Sequence, residues 1–229
     1  MKDELIFCPL GGSGEIGMNC NLYHYKGSWI MIDLGVMFGN SSVSNNELIM
    51  PNINFILENK IKLDGLILTH AHEDHIGAVP YLYEQLGRIP MFTTSFTASV
   101  LNRKFLSNSM QPAEINLLDY NKNISIGNFK IEIFALTHSI PEPNAIILKT
   151  EKGNIFHTGD WKIDPDPLVG EPINESKLKL ICEDGINAMI CDSTNVFNEN
   201  PSGSESEVRE VFREIFSKQK KGKIVVTCF

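Results

Sequence analysis

A short apolar run that ends in a dense cluster of histidines and acids constrains this chain more than any other feature. Gly65-Leu66-Ile67-Leu68-Thr69 leads straight into His70-Ala71-His72-Glu73-Asp74-His75, and Ile76-Gly77-Ala78-Val79-Pro80-Tyr81-Leu82 follows. Read locally, this is a strand, a ligand-dense turn and the start of a helix. In an extended chain alternate side chains share a face, so His70 and His72 reach one cation together, while Asp74 and His75 on the next turn swing to a second. A lone histidine is ordinarily a satisfied core or surface residue. With only six histidines in 229 residues, however, chance assembly of HxHxDH is on the order of one in several thousand. A site for two cations is therefore expected.

Two cations need more donors than one loop carries. His138, in Phe134-Ala135-Leu136-Thr137-His138-Ser139, and Asp160, in His157-Thr158-Gly159-Asp160, each follow an apparent strand, and strand ends are where an α/β scaffold presents its chemistry. A carboxylate bridges two cations more readily than an imidazole does, which makes Asp160 the natural shared ligand. Asp33 and Asp192 also close apolar strands. Each is read either as a carboxylate that orients a ligand imidazole through its far nitrogen or as a cap on a strand-end turn, and the two readings stand level. His24 and His157 lie within apparent strands and are taken as core or surface residues.

Around this cluster the chain alternates short strands with helices. Period-2 runs mark strands over 5–8, 21–25, 29–33, 65–69, 90–93, 124–126, 130–136, 145–150 and 154–157. Helical spacing marks 76–86 and 96–106. The clearest helix is near the end, where Val208, Val211, Phe212, Ile215 and Phe216 recur behind a Ser204…Glu207 capping box and Gly222 stops it. The polar stretch 195–206 reads as a linker and 223–229 as a last strand. The pattern as a whole is α/β.

Composition narrows the function classes. A hydrophobic fraction of 42% supports a real core, and no apolar run approaches the eighteen or so residues that span a bilayer. No membrane association is expected. Five scattered cysteines without a CxxC argue against a disulfide framework or a thiolate zinc knot. Together with an acidic N-terminus unsuited to a signal peptide, they point to the cytoplasm. A net charge of −8 counts against gripping nucleic acid by bulk electrostatics, so a nucleic-acid role would have to come from a specific site.

Gly12-Ser13-Gly14-Glu15-Ile16-Gly17 matches the GxGxxG of dinucleotide-binding folds, with Asp33 downstream at a tempting distance. That fingerprint requires the last glycine to open a helix, whereas here two strands around Lys26-Gly27-Ser28 follow. A tight inter-strand loop is expected and no nucleotide cofactor.

With these residues in place, the chain resembles the metallo-β-lactamase superfamily and, within it, the β-CASP nucleases of ribonuclease J type. The segments LGGSGEIGMN, IDLGVMF, LTHAHEDHIGAVPYL, LTHSIPEP, HTGDWKID and CDSTN carry the likeness over nearly the whole chain. The resemblance implies that His70, His72, His138 and Asp160 hold one cation and Asp74, His75 and Asp160 the other, with zinc foremost and manganese or magnesium as alternatives. It implies an αββα sandwich, here incomplete: residues 1–222 form the N-terminal part of the metallo-β-lactamase domain and 223–229 the first strand of a β-CASP domain. It also implies a cytoplasmic hydrolase acting as a 5′-to-3′ exonuclease and endonuclease on messenger and ribosomal RNA, in homo-oligomers of longer chains.

Two cations close together lower the pKa of a shared water and neutralise charge on a phosphoryl oxygen. On that basis Asp74 and His75 are the candidate catalytic residues, with Asp74 orienting the attacking water. Two rivals remain: a small-molecule metallo-hydrolase of lactonase or thiolesterase type, and a metal-binding fragment without turnover.

Overall fold

The computed structural model describes residues 3–39 and 48–227. In chain order it contains β1 (Ile6–Gly11), β2 (Cys20–Tyr25), β3 (Ser28–Ile32), β4 (Met37–Phe38), β5 (Leu48–Ile49), α1 (Asn54–Glu58), β6 (Leu63–Ile67), α2 (Glu73–Ile76), α3 (Val79–Leu82), β7 (Met91–Thr93), α4 (Ser95–Ser107), β8 (Ile115–Leu117), β9 (Ile124–Ile126), β10 (Phe129–Ala135), β11 (Asn144–Thr150), β12 (Gly153–His157), α5 (Glu175–Glu183), β13 (Ala188–Ile190) and α6 (Glu205–Lys218).

Two sheets dominate, a six-stranded one in the order β1-β2-β3-β6-β7-β8 and a five-stranded one in the order β13-β12-β11-β10-β9. The alternation of side chains along each strand sorts the apolar residues into three cores. Tyr23, Ile30, Ile32 and Ile67 of the first sheet meet Ile131, Ile133, Ile146 and Leu148 of the second. Their neighbours Leu22, Met31 and Leu66 turn the other way, onto Val79, Leu82 and Leu101 of the helices. On the far face of the second sheet Phe134, Ala145 and Ile147 pack with Ile181 of α5. The layers are thus helix, sheet, sheet, helix, and each fully buried Leu, Ile or Phe contributes about 1.5–3 kcal/mol.

The helix expected over 76–86 is instead two short helices, α2 and α3, followed by turns. Pro80 has no N–H to give the Ile76 carbonyl and so breaks the ladder at that point. The one-turn α1 and the nine-residue α5 carry too few apolar repeats to be read from periodicity. Residues 223–227 of the expected last strand pair with no other strand among the described residues, and 228–229 lie outside them. A strand exists only where a neighbour accepts its hydrogen bonds.

The capping box at the start of α6 is present as expected, with Ser204 and Glu207 satisfying each other's backbone. Yet no residue of α6 is buried among the described residues.

Candidate metal centre

The C-terminal ends of β3, β6, β10, β12 and β13 lie on one side of the sandwich, and the candidate residues follow those ends. Parallel pairing of β3 with β6 sets Ile32 against Ile67, and Asp33 continues the ladder by donating its N–H to Ile67 O. The turn after β6 then carries His70 and His72, and α2 carries Asp74 and His75.

That turn is held by backbone bonds from two other loops. Asn19 N donates to Asp74 O, Leu34 N to His75 O and Val36 N to Glu73 O, at 2.9, 2.8 and 3.0 Å. Gly35 is needed there for close approach, because a Cβ on it would stand 1.7 Å from the Asp74 carbonyl oxygen.

The donor atoms converge in two groups. Those of His70, His72, His138 and Asp160 lie within 4.8 Å of one another, as do those of Asp74, His75 and Asp160. His72 Nδ1 is 3.0 Å from His70 Nε2 and 3.1 Å from His138 Nε2. Asp160 turns Oδ2 towards His138 Nε2 at 3.7 Å and Oδ1 towards His75 Nε2 at 3.2 Å, while Asp74 Oδ2 is 3.5 Å from His75 Nε2. Ligands held about 2.0–2.2 Å from a tetrahedral cation stand roughly 3.3–3.6 Å from each other, so these gaps are of cation size. One ring nitrogen carries a single proton or a single lone pair. His72 Nδ1 therefore cannot fully serve two imidazoles by hydrogen bonding, whereas a cation between the three rings satisfies them all.

Electrostatics supports the same fit. Burial, followed by the neighbouring imidazoles, holds His70 well below the usual histidine range, and burial likewise lowers His72 and His138. Burial works against ionising Asp74 and Asp160, but contact with His75 outweighs it and holds both below the ordinary carboxylate range. Neutral imidazoles beside ionised carboxylates are the protonation states that metal ligation needs. At His75 burial opposes the proton, but Asp33, Asp160 and Asp74 together raise its affinity for one. Three carboxylates around one buried ring make a pocket of negative potential that suits a cation.

The two readings of Asp33 and Asp192 now part. Asp33 is fully buried at a φ of +63°, a left-handed conformation that Asp tolerates better than most residues. Its carboxylate lies 2.7 Å from His75 Nδ1 and accepts from Thr69 N at 2.8 Å, which leaves His75 Nε2 facing the donor group. Asp192 Oδ1 accepts from Thr194 N at 2.8 Å, the strand-end turn cap, and bonds no imidazole among the described residues. His157 is a core residue 2.8 Å from the Tyr23 hydroxyl, and His24 accepts from Gly27 N.

Two polar residues of this site were not singled out from sequence. Thr69 Oγ1 contacts both Asp33 and His70 Nδ1, and Asn19 Nδ2 reaches Asp74 O and His75 Nε2. Their only signal was position, Thr69 just before the histidine cluster and Asn19 at the end of the glycine-rich segment. That segment forms the inter-strand loop expected of it, with Gly12 and Gly17 at φ of +81° and +99°. It walls a cavity of about 490 Å³ onto which Asp74, His75 and Asp160 open.

A family model described as a beta-lactamase superfamily domain matches residues 29–204. A protein named ribonuclease J from Sinorhizobium meliloti is 40% identical over 232 residues, covering 99% of this chain and 41% of its own length. Another ribonuclease J, from Helicobacter pylori, is 34% identical over 230 residues, covering the whole chain and 33% of itself. The chain thus spans a third to two fifths of these curated relatives. A solved structure of a protein of unknown function from Enterococcus faecalis superposes with a TM-score of 0.65 over 93% of this chain and 58% of its own, at 18% identity, a likeness of fold alone.

Proposed function

The chain belongs to the beta-lactamase superfamily, and from that premise we propose that it supplies the metal-binding part of a ribonuclease J-type enzyme that hydrolyses RNA phosphodiester bonds. The observation that carries the reading is Asp160, whose two carboxylate oxygens face two different donor groups. In this reading His70, His72, His138 and Asp160 hold one divalent cation, and Asp74, His75 and Asp160 the second. When bound, such a pair activates a water and neutralises charge on a phosphoryl oxygen.

The remaining work falls to the chain's own residues. Asp74 accepts a hydrogen bond from the attacking water and orients it. Asp33 fixes His75 from behind and Thr69 fixes His70, so neither ring swings when substrate enters. Asn19 ties the backbone of α2 to the glycine-rich wall of the cavity. With three imidazoles and one carboxylate, the first position has zinc's donor set. The second is richer in oxygen and suits manganese or magnesium as well. The relatives named ribonuclease J support RNA as substrate; 5′-to-3′ exonuclease and endonuclease action, ribosomal RNA maturation, a homo-oligomer and a cytoplasmic setting follow from the family resemblance.

The test compares Asp160→Ala with His75→Ala by metal-to-protein ratio and by RNA decay beside a thioester substrate. A bridging carboxylate serves both cations and offsets their repulsion, so Asp160→Ala should lose more metal than His75→Ala. Equal losses would argue against the bridge, and thioester turnover without RNA decay would replace the nuclease reading with a small-molecule hydrolase.

A further inference from the structure

Two of the proposed ligands, His138 and Asp160, stand on separate loops with twenty-one residues between them, so something other than local chain geometry must set their spacing. A small clamp does so. Lys162 N donates to Thr137 O at 2.8 Å, Thr137 Oγ1 donates to Lys162 O at 2.5 Å, and Asp164 N donates to Thr137 Oγ1 at 3.3 Å. Thr137 immediately precedes His138, and Lys162 lies two residues after Asp160. The clamp therefore fixes the backbone beside both.

The clamp continues into α6. The Asp164 side chain is buried, and its Oδ2 accepts from the backbone N–H of Glu205, the first residue of α6, and from Lys162 Nζ, both at 3.0 Å. Its Oδ1 accepts from Asp166 N at 3.0 Å. Ser204 Oγ donates to Asp166 O at 2.7 Å, and Glu205 returns a carboxylate to Leu168 N at 2.8 Å. Ser204 and Glu207 cap α6, and Asp164 supplies the acceptor for the Glu205 N–H that this pair leaves open. Burying a charge is costly unless it is fully partnered. Here the partners are the helix start on one side and the loop that carries Asp160 on the other.

We propose that Asp164 is a positioning residue that ties the start of α6 to the Thr137–Lys162 clamp and so sets the spacing of His138 and Asp160 for the cation between them. The inference rests on the metal-site reading above. It extends that reading from the residues that face the cation to a joint more than one loop away, and it makes the placement of α6 a determinant of cation affinity. Partners behind metal ligands typically matter by 10–100-fold in affinity.

The experiment measures zinc affinity by chelator competition and the visible absorption of cobalt(II) in the wild type, Asp164→Asn, Thr137→Val and Thr137→Ser. Circular-dichroism melts establish that each variant is folded at the titration temperature. Asp164→Asn and Thr137→Val should weaken the first cation about tenfold or more and alter the cobalt band. Thr137→Ser, which keeps the hydroxyl, should restore both. A general loss of stability would not be rescued by that hydroxyl alone, nor would it change the cobalt band of protein that is still folded. Folded Asp164→Asn with wild-type affinity and an unchanged cobalt spectrum overturns the inference while leaving the metal reading intact. If Asp164→Asn does not fold, unchanged affinity in Thr137→Val overturns it instead. Wild-type protein that takes up no zinc overturns the metal reading and this inference together.

Discussion

Strand β11 and helix α6 are both patterned with regularity, yet the first is almost wholly buried and the second not at all. In β11, Ile146 and Leu148 enter the core between the sheets while Ala145 and Ile147 enter the core under α5. In α6, Val208, Val211, Phe212, Ile215 and Phe216 form one apolar face, and each is at least 36% exposed. Periodicity states which face an element could bury. Burial itself requires a facing surface, which the first sheet and α5 supply to β11 and no described residue supplies to α6. What holds α6 is polar: its capping box, Asp164 and the bonds of Ser204 and Glu205.

The sharpest way to break this comparison is to truncate one side chain in each region. Phe129, 1% exposed in the inter-sheet core, should cost about 3–5 kcal/mol when changed to Ala, read as a lowered urea midpoint. A loss under about 1 kcal/mol would mean that the sandwich is packed far more loosely than its burial indicates.

Acid should act next most strongly, and again through the sandwich. Burial pushes His157 down from 6.5 to about 4. Between those values the unfolded chain binds a proton that the folded one refuses, so stability is intact above about pH 6.5 and falls as the pH drops towards 4, by about 3 kcal/mol in all. Urea midpoints across that window should show the slope, and His157→Gln should flatten it. An unchanged slope would assign the acid sensitivity to other groups.

Two smaller effects probe α6. Ser204→Ala removes half of the capping box and should cost about 1 kcal/mol, visible as lost helicity in far-ultraviolet circular dichroism. Phe212→Ala gives up only an i,i+4 stack on Phe216, with ring centres 5.8 Å apart, and should change stability by about 0.5 kcal/mol or less. A Phe212 effect as large as that of Phe129 would show that the apolar face of α6 is covered in solution, and the contrast between the regions would fail.

Much of the candidate site was legible because its signals are local. HxHxDH places four chemically suited side chains within six residues, and His138 and Asp160 each follow a recognisable strand. The residues that were missed or left open depend on through-space contacts. Thr69 and Asn19 are ordinary polar residues until β3 lies beside β6 and brings Asp33 and His75 against them. Likewise the helix over 76–86 looked continuous by spacing, and it is divided by the lost N–H of Pro80 together with the Ala78 N–H, which goes to Leu34 O instead of back along the helix.

The sequence by itself determined the features that act over a few bonds: the strand alternation, the turn dense in histidines and acids, the inter-strand glycine loop and the capping box of α6. Tertiary structure decided the rest. It brought His138 and Asp160 to within 3.7 Å of each other, placed Asp33 behind His75 while turning Asp192 to cap its own loop, and left the apolar face of α6 without a described partner. The physical reason is range. Backbone dihedrals and spacing fix which side chains share a face over one or two turns, but residues separated by tens of positions meet only where sheet register and core packing close the chain between them, at an entropic cost that local pattern does not encode.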